Sequence, residues 1–205
     1  MSARKSADSR RTEIVIAMLR LADELGPDRL TTNEVAKAVG LTQPAIFRHF
    51  PTKQDIWLAV ASHISEIMSE AWEDVLATDA SPEDRVTALI LVQLRQITAS
   101  PAIPAILHSR ELHAENAALR TQFLGLMARF QKLLVEALAE GQAQHVFRSD
   151  IAPSDAAILL ISLVQGLAIR WSLGQRTFSL EAEGGRLLAR QIALFRAPAL
   201  MEKTA

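Results

Sequence analysis

Apolar residues recur along this chain at helical rather than strand spacing. Ile14, Met18, Leu21 and Leu25 fall at steps of four, three and four, one stripe of a helix expected over about Ser9 to Leu25, with Asp8 or Ser9 as N-cap. Gly26-Pro27 stops it. In TTNEVAKAVG, Thr31 and Glu34 have the spacing of a capping box, and Val35 and Val39 share one face before Gly40 ends a helix of about two turns. Thr42 is placed to cap a third helix through Gln43 to His49, with Pro44 tolerated in its first turn. Thr52 and Asp55 repeat the box at the start of a longer helix to roughly Val75. The first 55 residues thus predict three short, tightly capped helices.

The remainder has longer elements. Arg85–Thr98 is apolar nearly all round and predicts a buried central helix. PAIPAILHSRELH predicts a Pro-interrupted short helix or a pair of turns. From about Asn116, Leu119, Phe123, Leu126, Phe130, Leu133 and Ala137 mark a long helix at alternating steps of four and three. Pro153 opens another, whose Ala156–Ile169 stretch is uncharged on every face. A last helix around Glu183–Phe195 carries Leu187, Leu188, Ile192 and Phe195. The expectation is an all-α protein of about nine helices, with a small head at residues 1–55 and a larger body at 56–205.

Composition supports this. Of the 205 residues 49% are hydrophobic and 22% charged, which is globular and argues against disorder. The absence of cysteine excludes disulfides, thiolate metal sites and cysteine nucleophiles. The basic N-terminus lacks the apolar core of a signal peptide. The longest uncharged runs, Gln96–Ser109 and Ala156–Ile169, have 14 residues each, too short to span a bilayer, so a soluble cytoplasmic protein without a membrane partner is expected.

Charge adds a finer signal. The formal net charge is only -1, yet the twenty residues between Glu34 and Asp55 contain no acid and carry Lys37, Arg48, His49 and Lys53. Arg4, Lys5, Arg10 and Arg11 lie upstream as a basic arm. Two short helices joined by a glycine-containing turn, the second opening on polar residues, describe a helix-turn-helix. A recognition helix needs apolar anchors behind and hydrogen-bond donors in front. Ile46 and Phe50, four apart, supply the anchors, and Thr42, Gln43 and Pro44 form the tip. Gln43 can pair with an adenine edge, Thr42 and Pro44 can meet a thymine methyl, and Arg48 reaches a guanine or a phosphate. His49, Lys53 and the amides opening the fourth helix suit phosphate oxygens, and an acid on this surface would repel them.

At these residues, TTNEVAKAVGLTQPAIFRHFPTKQDIW, the chain resembles the TetR (tetracycline repressor) family of bacterial transcriptional regulators. The resemblance covers about residues 9–60. It implies that Thr42, Gln43, Pro44 and Ala45 face bases, that Phe47, His49 and Lys53 lie against the DNA backbone, and that Thr32 sits near a phosphate. One position departs from the family pattern: Phe47 replaces the usual tyrosine, so the hydroxyl that would bond a phosphate is missing.

The same resemblance implies a dimer, a palindromic operator and a small-molecule effector in the body. Ser162 and Gly166, four apart, would let a neighbouring helix approach, either within a monomeric core or from a second subunit, with Ile169, Leu188, Ile192 and Phe195 completing the interface in the second case. Leu89, Gln93, Gln96, Phe123, Met127, Phe130, Gln165 and Trp171 are the candidate lining of an uncharged, mainly apolar effector site. For any one of them, plain core is the competing reading. Effector binding would change the separation of the two heads and release DNA, as repression requires. No cofactor is called for. His108, Glu111 and Glu115 align on a helix, but among charged neighbours they read as a solvated patch rather than a metal site. A helical small-molecule-processing enzyme is the alternative class, yet no phosphate loop or nucleophile motif supports it. A protein-binding adaptor using the same head is the third.

Overall fold

The computed structural model describes residues 7–198, so Arg4 and Lys5 of the basic arm lie outside the described residues. Ten α-helices follow in order: α1 (Ala7–Leu25), α2 (Thr32–Ala38), α3 (Gln43–Phe47), α4 (Lys53–Leu76), α5 (Pro82–Ala99), α6 (Ala102–His108), α7 (Arg110–Glu115), α8 (Ala117–Ala143), α9 (Pro153–Leu173) and α10 (Leu180–Phe195). Among the described residues the only extended pairing is an isolated bridge between Phe147 and Arg196. The all-α expectation holds, with ten helices among the described residues rather than about nine. Ser109 makes the difference. It ends α6 and caps α7, its hydroxyl accepting from the Leu112 amide at 3.0 Å.

Local chemistry fixes the helix starts. At α2 both halves of the capping box form: the Glu34 amide donates to Thr31 Oγ1, and the Thr31 amide donates to the Glu34 carboxylate at 2.7 Å. Thr52 and Asp55 repeat this at α4, with the Thr52 amide donating to Asp55 at 2.9 Å. Asn116 Oδ1 accepts from the Leu119 amide and caps α8. Two starts differ from expectation. Helix α1 already runs through Asp8 and Ser9, so neither is its N-cap. Thr42 precedes α3 but makes no side-chain cap bond. Pro44 has no amide hydrogen to offer it, and the Ala45 amide donates to the Thr42 main-chain carbonyl instead.

The turn between α2 and α3 depends on Gly40. Its φ of +67° is left-handed, the Leu41 amide donates to the Ala36 carbonyl at 2.8 Å, and the Gly40 amide donates to that of Lys37. This double closure lets the chain turn from α2 into α3 within the four residues 39–42, and a side chain at Gly40 would be strained.

Two compact units result, Met1–Ser69 with Ala99–Leu126, and Glu70–Thr98 with Met127–Ala205. In the first, α1 packs on α2 and α6, and α2 packs on α3. Ile14, Met18, Leu30, Val35, Ile46, Phe50, Ile56, Trp57 and Val60 are all buried, each large side chain contributing on the order of 1.5–3 kcal/mol. Leu25, the last member of the α1 stripe, is exposed instead, at the helix end. The second unit is built around α5, the later part of α8, and the packed pair α9 and α10. The buried face of α5 is Pro82, Val86, Leu89, Ile90, Leu94 and Ile97, so this helix has a wetter side than its composition predicts.

Helix α9 corrects the sequence reading of length. Its charge-free stretch has 14 residues, but the helix runs for 21, because Asp155 and Arg170 fall in its end turns. By length and composition it is apolar enough to cross a membrane. Its inner residues Ala157, Leu160, Val164, Leu167 and Trp171 are buried by protein, and α10 packs against it.

Candidate nucleic-acid interface

Helix α3 is short, and the rotation of about 100° per residue assigns its side chains to one of two faces. Ala45 and Ile46, with Phe50 just beyond, are buried against the head. Thr42, Gln43, Pro44, Phe47 and Arg48 are exposed on the other side, and His49 and Lys53 are half-buried at its edge. The anchors and the tip therefore lie as the spacing predicts. Ala45 is the exception among the expected base-facing residues. Its methyl is only 6% exposed and belongs to the packed face rather than to the exposed side of the helix.

Exposed Phe47, at 39%, offers an apolar ring with no hydrogen-bonding group. Thr32 is buried at 7%, and its hydroxyl accepts from Gln43 Nε2 at 2.7 Å, so that side chain is directed at the recognition helix rather than outward. Lys53 opens α4 and lines a small recess with Asp28, Gln54, Glu111 and Glu115. Glu34, the nearest acid upstream of the acid-free stretch, has its carboxyl held below the ordinary range, chiefly by the Thr31 backbone amide and then by the Thr31 hydroxyl. It stays ionised and capped on α2.

One contributor is missing from the sequence reading. Arg11, read only as one of the upstream basic residues, lies on α1 within the helix expected over Ser9 to Leu25, donates to the His49 main-chain carbonyl at 2.6 Å and covers the Phe50 ring at 4.2 Å. Nothing in residue spacing signals this, because 38 positions separate the pair.

The candidate effector residues divide between the units. Phe123 belongs to the first, where its ring meets His113 edge-on at 5.9 Å. In the second, the Trp72 indole donates to Gln93 Oε1 at 3.1 Å and stacks on Phe130 at 5.0 Å. Gln93 is therefore a satisfied inward amide, its partner Trp72 having escaped the sequence reading. Leu89 and Trp171 are buried, Gln96 and Gln165 are half-buried, and Met127 is exposed at 38%.

The candidate dimer residues also divide. Ser162 and Gly166 are exposed and Ile169 is half-buried on α9, beside Ile158 and Leu159, each 49% exposed. Leu188, Ile192 and Phe195, expected at the interface, are instead buried within the chain, at 1%, 3% and 3%, and belong to its core. The outward apolar residue of α10 is Leu194, 66% exposed.

Comparison with known proteins agrees with this geometry. Residues 14–60 match the family of bacterial regulatory proteins of the tetR type, and residues 82–195 match the C-terminal domain of BetI-type transcriptional repressors. The nucleoid occlusion factor SlmA of Marinomonas sp. (strain MWYL1) is 24% identical over 166 residues, covering 81% of this chain and 83% of that protein. Among solved structures, a transcriptional regulator from Saccharomonospora viridis in complex with choline superposes with a TM-score of 0.79 at 23% identity, covering 91% of this chain and 96% of that one. The regulator FadR from Bacillus subtilis in complex with stearoyl-CoA gives 0.74 at 17% identity, covering 89% and 97%. With both family matches falling on the helix-turn-helix head and on the helical body in sequence order, the chain belongs to the TetR family of bacterial regulatory proteins and is a DNA-binding transcriptional regulator.

Proposed function

We propose that this regulator is a cytoplasmic repressor that binds a palindromic operator as a homodimer and is released by a small, mainly apolar effector. Residues 1–55 act as the DNA-binding head and residues 56–205 as the ligand-binding and dimerisation body. The observation that carries the reading is the exposed, acid-free face formed by Thr42, Gln43, Pro44, Phe47 and Arg48, flanked by His49 and Lys53. Two such faces related by a two-fold axis address half-sites roughly 34–36 Å apart, one turn of DNA. The outer apolar stripe of α9 supports self-association, since Ile158 and Leu159 stand exposed beside the small residues Ser162 and Gly166.

Gln43 and Arg48 read bases, and His49 and Lys53 hold phosphates. The effector reading draws on the fold shared with regulators solved with stearoyl-CoA and with choline, and on the aromatic and amide side chains around Trp72, Gln93 and Phe130. The relatives are regulators rather than enzymes, and no turnover is proposed.

Titration of the purified protein against DNA flanking its own gene, across a salt series, tests the DNA reading. Lys53→Ala should weaken all sequences alike and reduce the salt slope by about one. Unchanged binding at every salt concentration would sink the docking described here. Native mass spectrometry of the protein as purified, before and after extraction of bound small molecules, tests the effector.

A second reading follows from the name of the SlmA relatives, which align over about four-fifths of this chain. Under it the protein serves nucleoid occlusion. Mapping of bound chromosomal sites separates the two, because a repressor occupies promoters of a few genes and a nucleoid-associated role spreads sites along the chromosome.

A further inference from the structure

Gln43 and Thr32 open two different helices, α3 and α2, and are eleven residues apart, yet their side chains meet at 2.7 Å with Gln43 Nε2 donating to Thr32 Oγ1. The two ends of this bond differ in freedom. Thr32 is 93% buried and directly follows Thr31, whose capping box pins the first turn of α2. Gln43 is exposed on the proposed DNA-facing side. An exposed glutamine without such a partner samples many rotamers and both orientations of its amide.

The bond also fixes which atoms remain. A glutamine amide has two N–H donors and one carbonyl acceptor. One Nε2 hydrogen is used on Thr32, leaving a single N–H and the Oε1 lone pairs. Adenine in the major groove presents N7 as acceptor and the N6 amino group as donor, which needs one donor and one acceptor from the side chain. The remaining pair has that composition.

We infer that Thr32 is a positioning residue that sets the amide of Gln43 for adenine, making a buried threonine on the supporting helix a determinant of sequence choice. The inference rests on the DNA-binding reading above and departs from the phosphate-contact role that family resemblance gives Thr32. The two roles differ in a measurable way. A phosphate contact acts equally on every sequence. An orienting bond acts at one base pair, and because neither side chain is ionised it leaves counterion release untouched.

The test uses the full-length protein and operators selected from random DNA. Affinities for the selected operator and for variants at the base pair assigned to Gln43 are measured across a salt series for wild type, Thr32→Val, Thr32→Ser and Gln43→Ala. Thr32→Val keeps the shape and removes the hydroxyl. It should lose about tenfold in discrimination at that base pair, comparable to the rotamer freedom restored to glutamine, with the salt slope unchanged. Thr32→Ser should match wild type, and Thr32→Val should add nothing in a Gln43→Ala background.

Full discrimination in Thr32→Val would overturn the inference. So would an equal loss of affinity for every sequence with discrimination intact, which marks a contact from the hydroxyl to a phosphate. Wild type that selects no sequence removes the DNA-binding reading itself. A readout that needs no variant is the nuclear magnetic relaxation of the Gln43 side-chain amide in the DNA-free protein. An order parameter near that of rigid backbone, about 0.85, supports the restraint, and one below about 0.6 refutes it.

Discussion

The guanidinium of Arg11 donates to the main-chain carbonyl of His49 at 2.6 Å, tying the first helix to the end of the recognition helix. The same group lies 4.2 Å from the centre of the Phe50 ring, so it holds both the backbone and the apolar anchor of that segment. Arg11 thus acts through position, although its charge alone would place it on DNA.

Arg11→Ala is expected to weaken binding to cognate and unrelated DNA by roughly three- to tenfold, from one charge-assisted hydrogen bond lost, while leaving the salt slope near that of wild type. Arg11→Lys should restore only part of it, because an ammonium cannot donate to the carbonyl and lie flat over the ring together. Anisotropy titrations across salt check this, and a slope reduced by about one would assign Arg11 to a phosphate.

The capping box at α2 makes the head sensitive to acid. Glu34 is held below its ordinary value by hydrogen bonds from Thr31, so its ionised form favours the folded state. That contribution is complete above the ordinary carboxylate range and fades as pH falls through the lowered folded value. Glu34→Ala should melt below wild type at neutral pH, and the gap should close in acid. Thr31→Ala should lower stability by about 1 kcal/mol at neutral pH. Thermal unfolding followed at several pH values reads both.

Leu159 stands 49% exposed on the α9 face that carries Ser162 and Gly166, whereas Leu188 of α10 is 1% exposed. If that outer face joins two subunits, Leu159→Glu should yield a folded monomer at micromolar concentration by sedimentation, with operator affinity reduced more than tenfold as the second half-site is lost. Leu188→Ala should instead cost about 2–5 kcal/mol in unfolding free energy. A Leu159→Glu protein that still sediments as a dimer would place the interface elsewhere.

Gly184 allows α10 to approach α5 closely. A methyl there would overlap Leu94 Cδ1 and come within 3.3 Å of its Cδ2, and Leu94 is only 1% exposed and has little room to yield. Gly184→Ala should therefore destabilise by about 1–3 kcal/mol, and Leu94→Val in the same chain should recover part of the loss. Paired denaturant melts of the single and double variants measure the coupling.

What the sequence determined by itself is whatever closes within a turn or two of helix. Thr31 with Glu34 and Thr52 with Asp55 start helices through bonds three residues apart, and Ile46 and Phe50 turn inward because 3.6 residues make a turn. The acid-free stretch was likewise readable, since electrostatic exclusion of acids leaves its mark in composition alone. Tertiary structure decided the rest. Arg11 with His49, Thr32 with Gln43 and Trp72 with Gln93 are joined across 38, 11 and 21 residues, separations at which no periodicity pairs one position with another. Helix α9 has no polar face in its middle, so its sequence carries no phase, and only packing chose Leu160 and Val164 for the inside and Leu159 for the outside. A local rule fixes a helix and its caps; which of its faces is buried depends on neighbours that the chain brings from far away.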